Sequence, residues 1–405
     1  MVIGSWWGAC WAEPAHGGGV RRSTRTLDLV EQTLIGRMKA HILDLSIGEI
    51  EERLAEWGQP GYRAAQIARW VLQQGATSWD EMTNLPAELR ELLAAEFRVD
   101  APSVIATRMA DDGSTTKVLL DLGHGAGSGN GVGDGSASDA IESVRMDYDP
   151  ESEGGEGRER TTVCVSTQAG CAMGCVFCAT GQQGFTRNLT PSEIVAQVLH
   201  FARERRVTNV VFMGMGEPLA NFDATLRAIH WMVDESGLGM RQRGVTVSTV
   251  GLLRPIERLA EERLQIGLTI SLHAPNDELR RRLVPTSGAA TIDALVDAGL
   301  AYQATTGRRV TFAYALLEEV NDTPEHAREL AERLRGKAVH VNLVPYNPTA
   351  GADLRRPSNT RVRRFQQELL DGGVNATVRV ERGIEIAAAC GQLRTDVLGT
   401  PNAPR

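Results

Sequence analysis

From Leu43 to Phe97 apolar residues recur at helical spacing, broken at GQPGY and NLP. This predicts a compact helical module over residues 38–100, opening in AHILDLSIGEIEERLAEWG just after Met38. Residues 1–37 show no such period and are expected to be a disordered extension, with Met38 an alternative start. Next come a strand-like stretch, the turn signal DDG and then TTKVLLDL. Beyond Arg160 the period changes to short β-branched runs: TTVCVST, TNVVFMG, GVTVSTV, IGLTISLH, RVTFAYALL and AVHVNLVPY. Each is followed by an amphipathic helix or a loop leading to one. Six such alternations over residues 161–350 predict an α/β fold with a parallel sheet, either open or partly closed into a barrel. In both forms functional residues belong at the carboxyl ends of the strands.

Composition narrows the class. With 42% hydrophobic and 23% charged residues over 405 positions, the chain reads as a soluble protein with one large domain and smaller flanking modules. No run approaches the roughly 18 apolar residues of a membrane span, and the first residues lack a basic leader, so a cytoplasmic location is expected. A net charge of −8 argues against binding phosphate until its distribution is considered. Nine acids against two arginines fall between Asp134 and Glu159, which leaves the rest nearly neutral. Glycine occupies alternate positions from Gly123 to Gly135, and with the acidic stretch this predicts a flexible insertion over residues 123–159 within a strand linker of 101–160. Arginines cluster at Arg203, Arg205 and Arg206, at Arg280 to Arg282, and at Arg355, Arg356, Arg361, Arg363 and Arg364. Each cluster permits RNA contact, although such a cluster is more often a solvated helix face.

Six cysteines are present, three of them in C-x-x-x-C-x-x-C directly after the first β-run. Cys171, Cys175 and Cys178 can hold three irons of a 4Fe-4S cluster and leave the fourth open to a small ligand. A structural zinc ion would want four closed ligands, and this loop has no histidine. Cys164 lies within the first run. Cys390, in AAACGQL, has the small apolar neighbours of a buried thiol.

The CAMGCVFC motif and the six alternations resemble the radical SAM superfamily. In order, GCAMGCVFCATGQQGFTRNLTPSEIVAQV, TNVVFMGMGEPLANFD, VTVSTVG, ISLHAPNDELRRRLVP, NLVPYNP and RGIEIAAACGQL resemble the RlmN family of dual-specificity RNA methyltransferases, over roughly residues 40–398. The resemblance implies a partial (β/α)6 barrel with an amino-terminal helical RNA-binding domain, where Arg63 and Arg69 lie. It also implies a carboxyl-terminal extension over residues 351–398 and a tail over 399–405. Its cofactors are a 4Fe-4S cluster and two molecules of S-adenosylmethionine (SAM) per turnover. The residues implied to bind SAM are Gly216, Glu217, Ser248, Ser271, Leu272, His273 and Asn347.

The implied reaction methylates C2 of an adenine, a carbon too weakly nucleophilic for simple displacement. Cys390 accepts a methyl group from one SAM, and a radical derived from the second removes hydrogen from that methyl so that it can add to the base. Cys164 resolves the adduct and pairs with Cys390 in a disulfide, and Glu142 is the implied proton acceptor. Glu385 stands where the family commonly has Asp. The implied substrates are the peptidyl-transferase centre of 23S rRNA and tRNA. The implied setting is a monomer served by an electron donor such as flavodoxin, with no membrane contact. Two alternatives share these features in part: an adenine-C8 methyltransferase of the Cfr type that confers antibiotic resistance, and a non-catalytic iron–sulfur or zinc protein that binds RNA.

Overall fold

Helices α1 (Ile47–Glu56), α2 (Tyr62–Leu72) and α3 (Ala87–Glu96) form the amino-terminal module. Its first and last residues join as a short parallel pair, β1 (Ala40–His41) with β2 (Phe97–Arg98). The start of α1 follows from its sequence: the Ser46 side chain accepts from the Glu49 N–H while Glu49 reaches back to the Ser46 N–H. Ile50, Leu54, Ile67 and Leu89 then turn one apolar side inward. The computed structural model describes residues 39–123, 139–149, 158–287, 290–349, 352–380 and 382–393. The extension expected over 1–37, the Gly-rich segment and the tail expected over 399–405 lie outside the described residues, apart from Gly123.

A ten-stranded sheet organises the remainder, in the order β14-β13-β12-β11-β10-β9-β6-β5-β4-β3. The six expected parallel strands are β6 (Arg160–Cys164), β9 (Asn209–Phe212), β10 (Val245–Thr249), β11 (Gly267–Ser271), β12 (Thr311–Leu316) and β13 (His340–Pro345). They lie side by side in chain order, each hydrogen-bonded in parallel to the next. A small antiparallel pair, β7 (Gln168–Gly170) with β8 (Phe185–Asn188), brackets the cysteine loop and the short helix α4 (Ala179–Gln183). The segments between parallel strands carry α5 (Pro191–Ala202), α6 (Phe222–Val233), α7 (Leu253–Glu261), α8 (Asp277–Leu283), α9 (Ile292–Thr306) and α10 (Pro324–Leu334). After β13, helix α11 (Asn359–Asp371) returns the chain to a seventh parallel strand, β14 (Ala376–Val378).

On the other side the sheet continues antiparallel through β5 (Ile141–Tyr148), β4 (Thr115–Asp121) and β3 (Ser103–Met109). Strand β5 corrects the flexible insertion expected over 123–159. Residues 141–148 are paired on both edges and mostly buried. Their charges have partners: Glu142 pairs with Lys117, and Arg145 with Asp147 and Glu204. Acidic composition therefore concealed a strand.

One apolar core runs from Leu54 and Ile67 in the module to Val163, Ile270 and Phe312 in the sheet. Polar contacts fix the module against α5 and α6. Trp231 Nε1 donates to the Leu43 carbonyl at 2.9 Å, Arg227 donates to the Asp44 carbonyl at 2.7 Å and also pairs with Glu49, and the Ser192 N–H donates to Asp44 at 3.0 Å. Among the described residues no helix is long and apolar enough to cross a membrane.

Candidate active site

The loop after β6 and β7 brings Cys171, Cys175 and Cys178 to one open cleft at the carboxyl ends of the parallel strands. Backbone bonds hold the loop, Cys171 N–H to the Gly184 carbonyl at 2.7 Å and Val176 N–H to the Leu283 carbonyl at 3.1 Å. Burial raises all three thiols, Cys171 to about 11, and their mutual proximity raises Cys171 and Cys175 further. As free thiols they keep their protons at neutral pH, so they become ligands only for a cationic group that displaces those protons. Among the described residues, no three Cys, His, Asp or Glu side chains converge on a single-ion position. Three thiols facing one cleft suit three irons of a 4Fe-4S cluster that keeps its fourth iron open.

Of the residues implied to bind SAM, Gly216, Glu217, Ser248, Ser271, His273 and Asn347 line the same cleft. Leu272 does not; its side chain is fully buried and its N–H bonds to the Ala313 carbonyl. Gly216 has φ +100°, and a Cβ there would lie 2.6 Å from the Gln168 side chain. GMGEP thus needs glycine both for its backbone and for space. Glu217 is buried, and its two carboxylate oxygens accept N–H groups from Val250 at 2.8 Å and Leu219 at 3.0 Å. Burial nevertheless pushes it up to about 7, the state of a carboxyl group that a ligand ammonium would stabilise in its charged form. His273 Nδ1 accepts the Ala315 N–H at 2.9 Å, which makes Nε2 the protonated nitrogen, and burial drives its pKa down to about 3.

Several supporting residues escaped the sequence pattern. Arg280, in a run that resembled a solvated face, is almost fully buried, and its guanidinium donates to the carbonyls of Val250 and Ser271. It joins the loop that follows β10 to the end of β11. The third arginine cluster is also largely committed within the protein: Arg361 pairs with Asp322, Arg355 with Glu318 and Glu319, and Arg356 donates to Asn347. Asn321, in a turn-like VNDTPE, donates to the His273 carbonyl at 2.8 Å. No local signal distinguishes these residues.

The two outlying thiols converge. Cys390 lines the large cleft and also a second, small cavity, and Cys164 lines the second cavity. All five described cysteines are free. Burial pushes Cys164 up to about 12, with neighbouring Cys390 raising it and Arg379 opposing. The segment bearing Cys390 is pinned on three sides. Asn347 Nδ2 donates to the Cys390 carbonyl at 3.2 Å, the Ala179 N–H to the Gly391 carbonyl at 2.8 Å, and Lys117 Nζ to the Ala387 carbonyl at 3.0 Å. Lys117 also meets the Glu142 carboxylate at 2.8 Å. Lys117 and Cys164 both stand opposite Val144, so Lys117, Glu142 and Cys164 share one sheet face. Glu385 is exposed.

This fold, with three clustered thiols at the strand ends, defines a radical SAM enzyme. Residues 165–334 match the family described as the Radical SAM superfamily, and residues 40–99 match the Ribosomal RNA large subunit methyltransferase N-terminal domain. The chain is 50% identical to "Ribosomal RNA large subunit methyltransferase N" of Nitrosopumilus maritimus, over 87% of this chain and 97% of that protein. It is 44% identical to a Roseiflexus castenholzii protein described as "Probable dual-specificity RNA methyltransferase RlmN", over 87% and 95%. A crystal structure of a radical SAM methyltransferase from Sphaerobacter thermophilus matches with TM-score 0.78 and 46% identity, covering 88% of this chain and all of that one. The chain belongs to the RlmN family.

Proposed function

We propose that this chain methylates C2 of adenine in 23S rRNA and in tRNA through a methylated Cys390. One observation carries the assignment: Cys390 stands where the cleft of the cluster thiols meets the cavity lined by Cys164. A methyl carrier has to face its donor on one side and the base on the other. Cys171, Cys175 and Cys178 would hold the cluster, which when bound supplies the electron for reductive cleavage of SAM. Glu217, Ser248, Ser271, His273 and Asn347 orient SAM in the cleft, with Glu217 receiving its ammonium and the Nε2–H of neutral His273 available as a donor. Leu272 supports them from the core.

At neutral pH Cys164 is a thiol, so it has to lose its proton before it attacks the Cys390 sulfur and releases the product. Glu142 lies diagonally across from it on the same sheet face, roughly 7–8 Å away between Cα atoms, and is the acceptor we assign. The helical module over residues 38–100 serves as the RNA-binding accessory domain, with Tyr62 and Arg69 on its exposed side. The enzyme acts as a cytoplasmic monomer served by an external donor such as a flavodoxin.

The test is anaerobic turnover with SAM, reductant and RNA, followed by mass spectrometry of nucleosides and protein. Cys390→Ala should leave both protein and RNA unmethylated. Cys164→Ala should trap a nuclease-sensitive protein–RNA crosslink through Cys390. Methylation of adenine by Cys390→Ala, or 8-methyladenosine as the wild-type product, would overturn the assignment.

A further inference from the structure

Arg280 is a buried cation for which the protein itself provides no counterion. It is 1% exposed, and both of its side-chain hydrogen bonds leave from Nη2, to the carbonyls of Val250 and Ser271. Its Nε is buried with no acceptor, and no carboxylate among the described residues comes within ion-pair distance. The acids around it are engaged elsewhere or turned to water. Asp277, one turn earlier on α8, accepts the Ile292 N–H at 2.7 Å, and Glu278 is exposed. Glu217 takes the N–H of Val250, whose carbonyl Arg280 holds, together with the N–H of Leu219. Two carbonyl dipoles solvate a guanidinium without neutralising it, and an uncompensated charge at such depth is costly.

What lies beside Arg280 is the cluster loop. Cys175 packs with Leu279 and Leu283 of α8 in one apolar cluster. The loop on either side of Cys175 is bonded to the end of that helix and the turn after it: the Val176 N–H donates to the Leu283 carbonyl at 3.1 Å, and the Thr286 hydroxyl to the Met173 carbonyl. Val250 and Ser271 line the same cleft as the three thiols, whereas Arg280 stands behind its wall. Burial works against the guanidinium charge, and of the groups that favour it Cys175 comes first and Asp277 second. Three thiolates outweigh the positive charge of an iron–sulfur core, and reduction adds a further negative charge. A fixed cation withdrawn from water favours the more negative of the two states.

We infer that Arg280 is the buried counter-cation of the cluster held by Cys171, Cys175 and Cys178, and that it raises the reduction potential of that cluster so that a weaker donor can reduce it. This rests on the proposed function for which thiols bind the cluster. Arg280 is a positioning residue that acts through its field, since the cleft wall separates it from SAM.

The experiment is a redox titration of the full chain with reconstituted cluster, followed by EPR in the absence of SAM and RNA. Arg280→Gln keeps a donor for the two carbonyls, Arg280→Met keeps the bulk, and both lose the charge. At the wild-type midpoint potential each should show a reduced-to-oxidised ratio about tenfold lower, a shift of about 59 mV to more negative potential. Arg280→Lys keeps the charge and should stay within about threefold of wild type. Arg281→Gln makes the same change at the next, exposed residue and should stay within about twofold. A wild-type potential in either neutral variant would overturn the inference. So would a shift in Arg280→Lys equal to that in Arg280→Gln, because altered packing rather than lost charge would then be the cause. Iron and sulfide content tests the thiols separately: a full cluster in Cys175→Ala would overturn the ligand assignment, and this inference with it.

Discussion

Lys117 shows how one side chain can tie two parts of a site together. Its ammonium is buried between the Glu142 carboxylate, 2.8 Å away, and the Ala387 carbonyl, 3.0 Å away, three residues before Cys390. Ala387 itself has φ +53°, a conformation unfavourable for a residue with a Cβ, and the lysine contact helps hold it. Removing one partner of a buried ion pair leaves the other charge without its counterion. Lys117→Met should therefore destabilise the protein by about 3–5 kcal/mol in urea unfolding, and adding Glu142→Leu should recover most of that loss. A single variant within about 1 kcal/mol of wild type would show that the pair carries little. Lys117 was invisible in TTKVLLDL, where it reads as the polar member of an alternating strand. In the sheet that alternation is covered on both faces, and the lysine points inward with the apolar residues.

At the scale of elements, the short turn opening the amino-terminal module depends on a histidine in its neutral form. His41 Nδ1 accepts the Leu43 N–H at 3.0 Å, and burial lowers the pKa of His41 to about 4. In the unfolded chain the imidazole titrates near its ordinary value of about 6.5. Below that value the unfolded state binds a proton that the folded state refuses. Stability from this group is therefore complete above about pH 6.5 and is lost as pH falls toward about 4, by on the order of 3 kcal/mol. His41→Asn keeps a capping acceptor without a titrating group, so its melting temperature should vary less across that window. Equal slopes for variant and wild type would remove the histidine as the cause. The same scale explains why β14 went unseen: three residues carry too little pattern to register as a strand.

Across the whole molecule, the amino-terminal module and the helices covering the sheet share one core and a set of polar locks. Trp231 Nε1 serves two carbonyls, those of Leu43 and Leu45. Trp231→Phe removes the donor from the buried bond to Leu43 and the half-buried bond to Leu45, a cost of about 1–3 kcal/mol. Because the lock joins the module to α6, amide hydrogen exchange in α1, α2 and α3 should accelerate while that in β10 to β13 stays near wild type. Uniform acceleration throughout would mean that module and barrel open as a single unit. A module held this firmly carries its exposed Tyr62 and Arg69 in a fixed relation to the sheet.

Local pattern alone was sufficient for much of this protein. Six parallel strands were legible because β-branched runs alternating with amphipathic helices have few other stable arrangements. The grouping of Cys171, Cys175 and Cys178 was legible because three cysteines within eight residues need no tertiary information to be placed together. Other features depend on how distant segments meet. Cys164 and Cys390 border one cavity because β6 and the chain beyond β14 meet across the face of a sheet, and strand register selects the side on which Cys164 stands. A slip of one residue would turn it to the opposite face. Burial decided the rest. Arg280 and Glu142 sit in charged runs that look solvated, yet each is withdrawn from water by neighbours remote in sequence, and the energetic role of a charge depends on those neighbours.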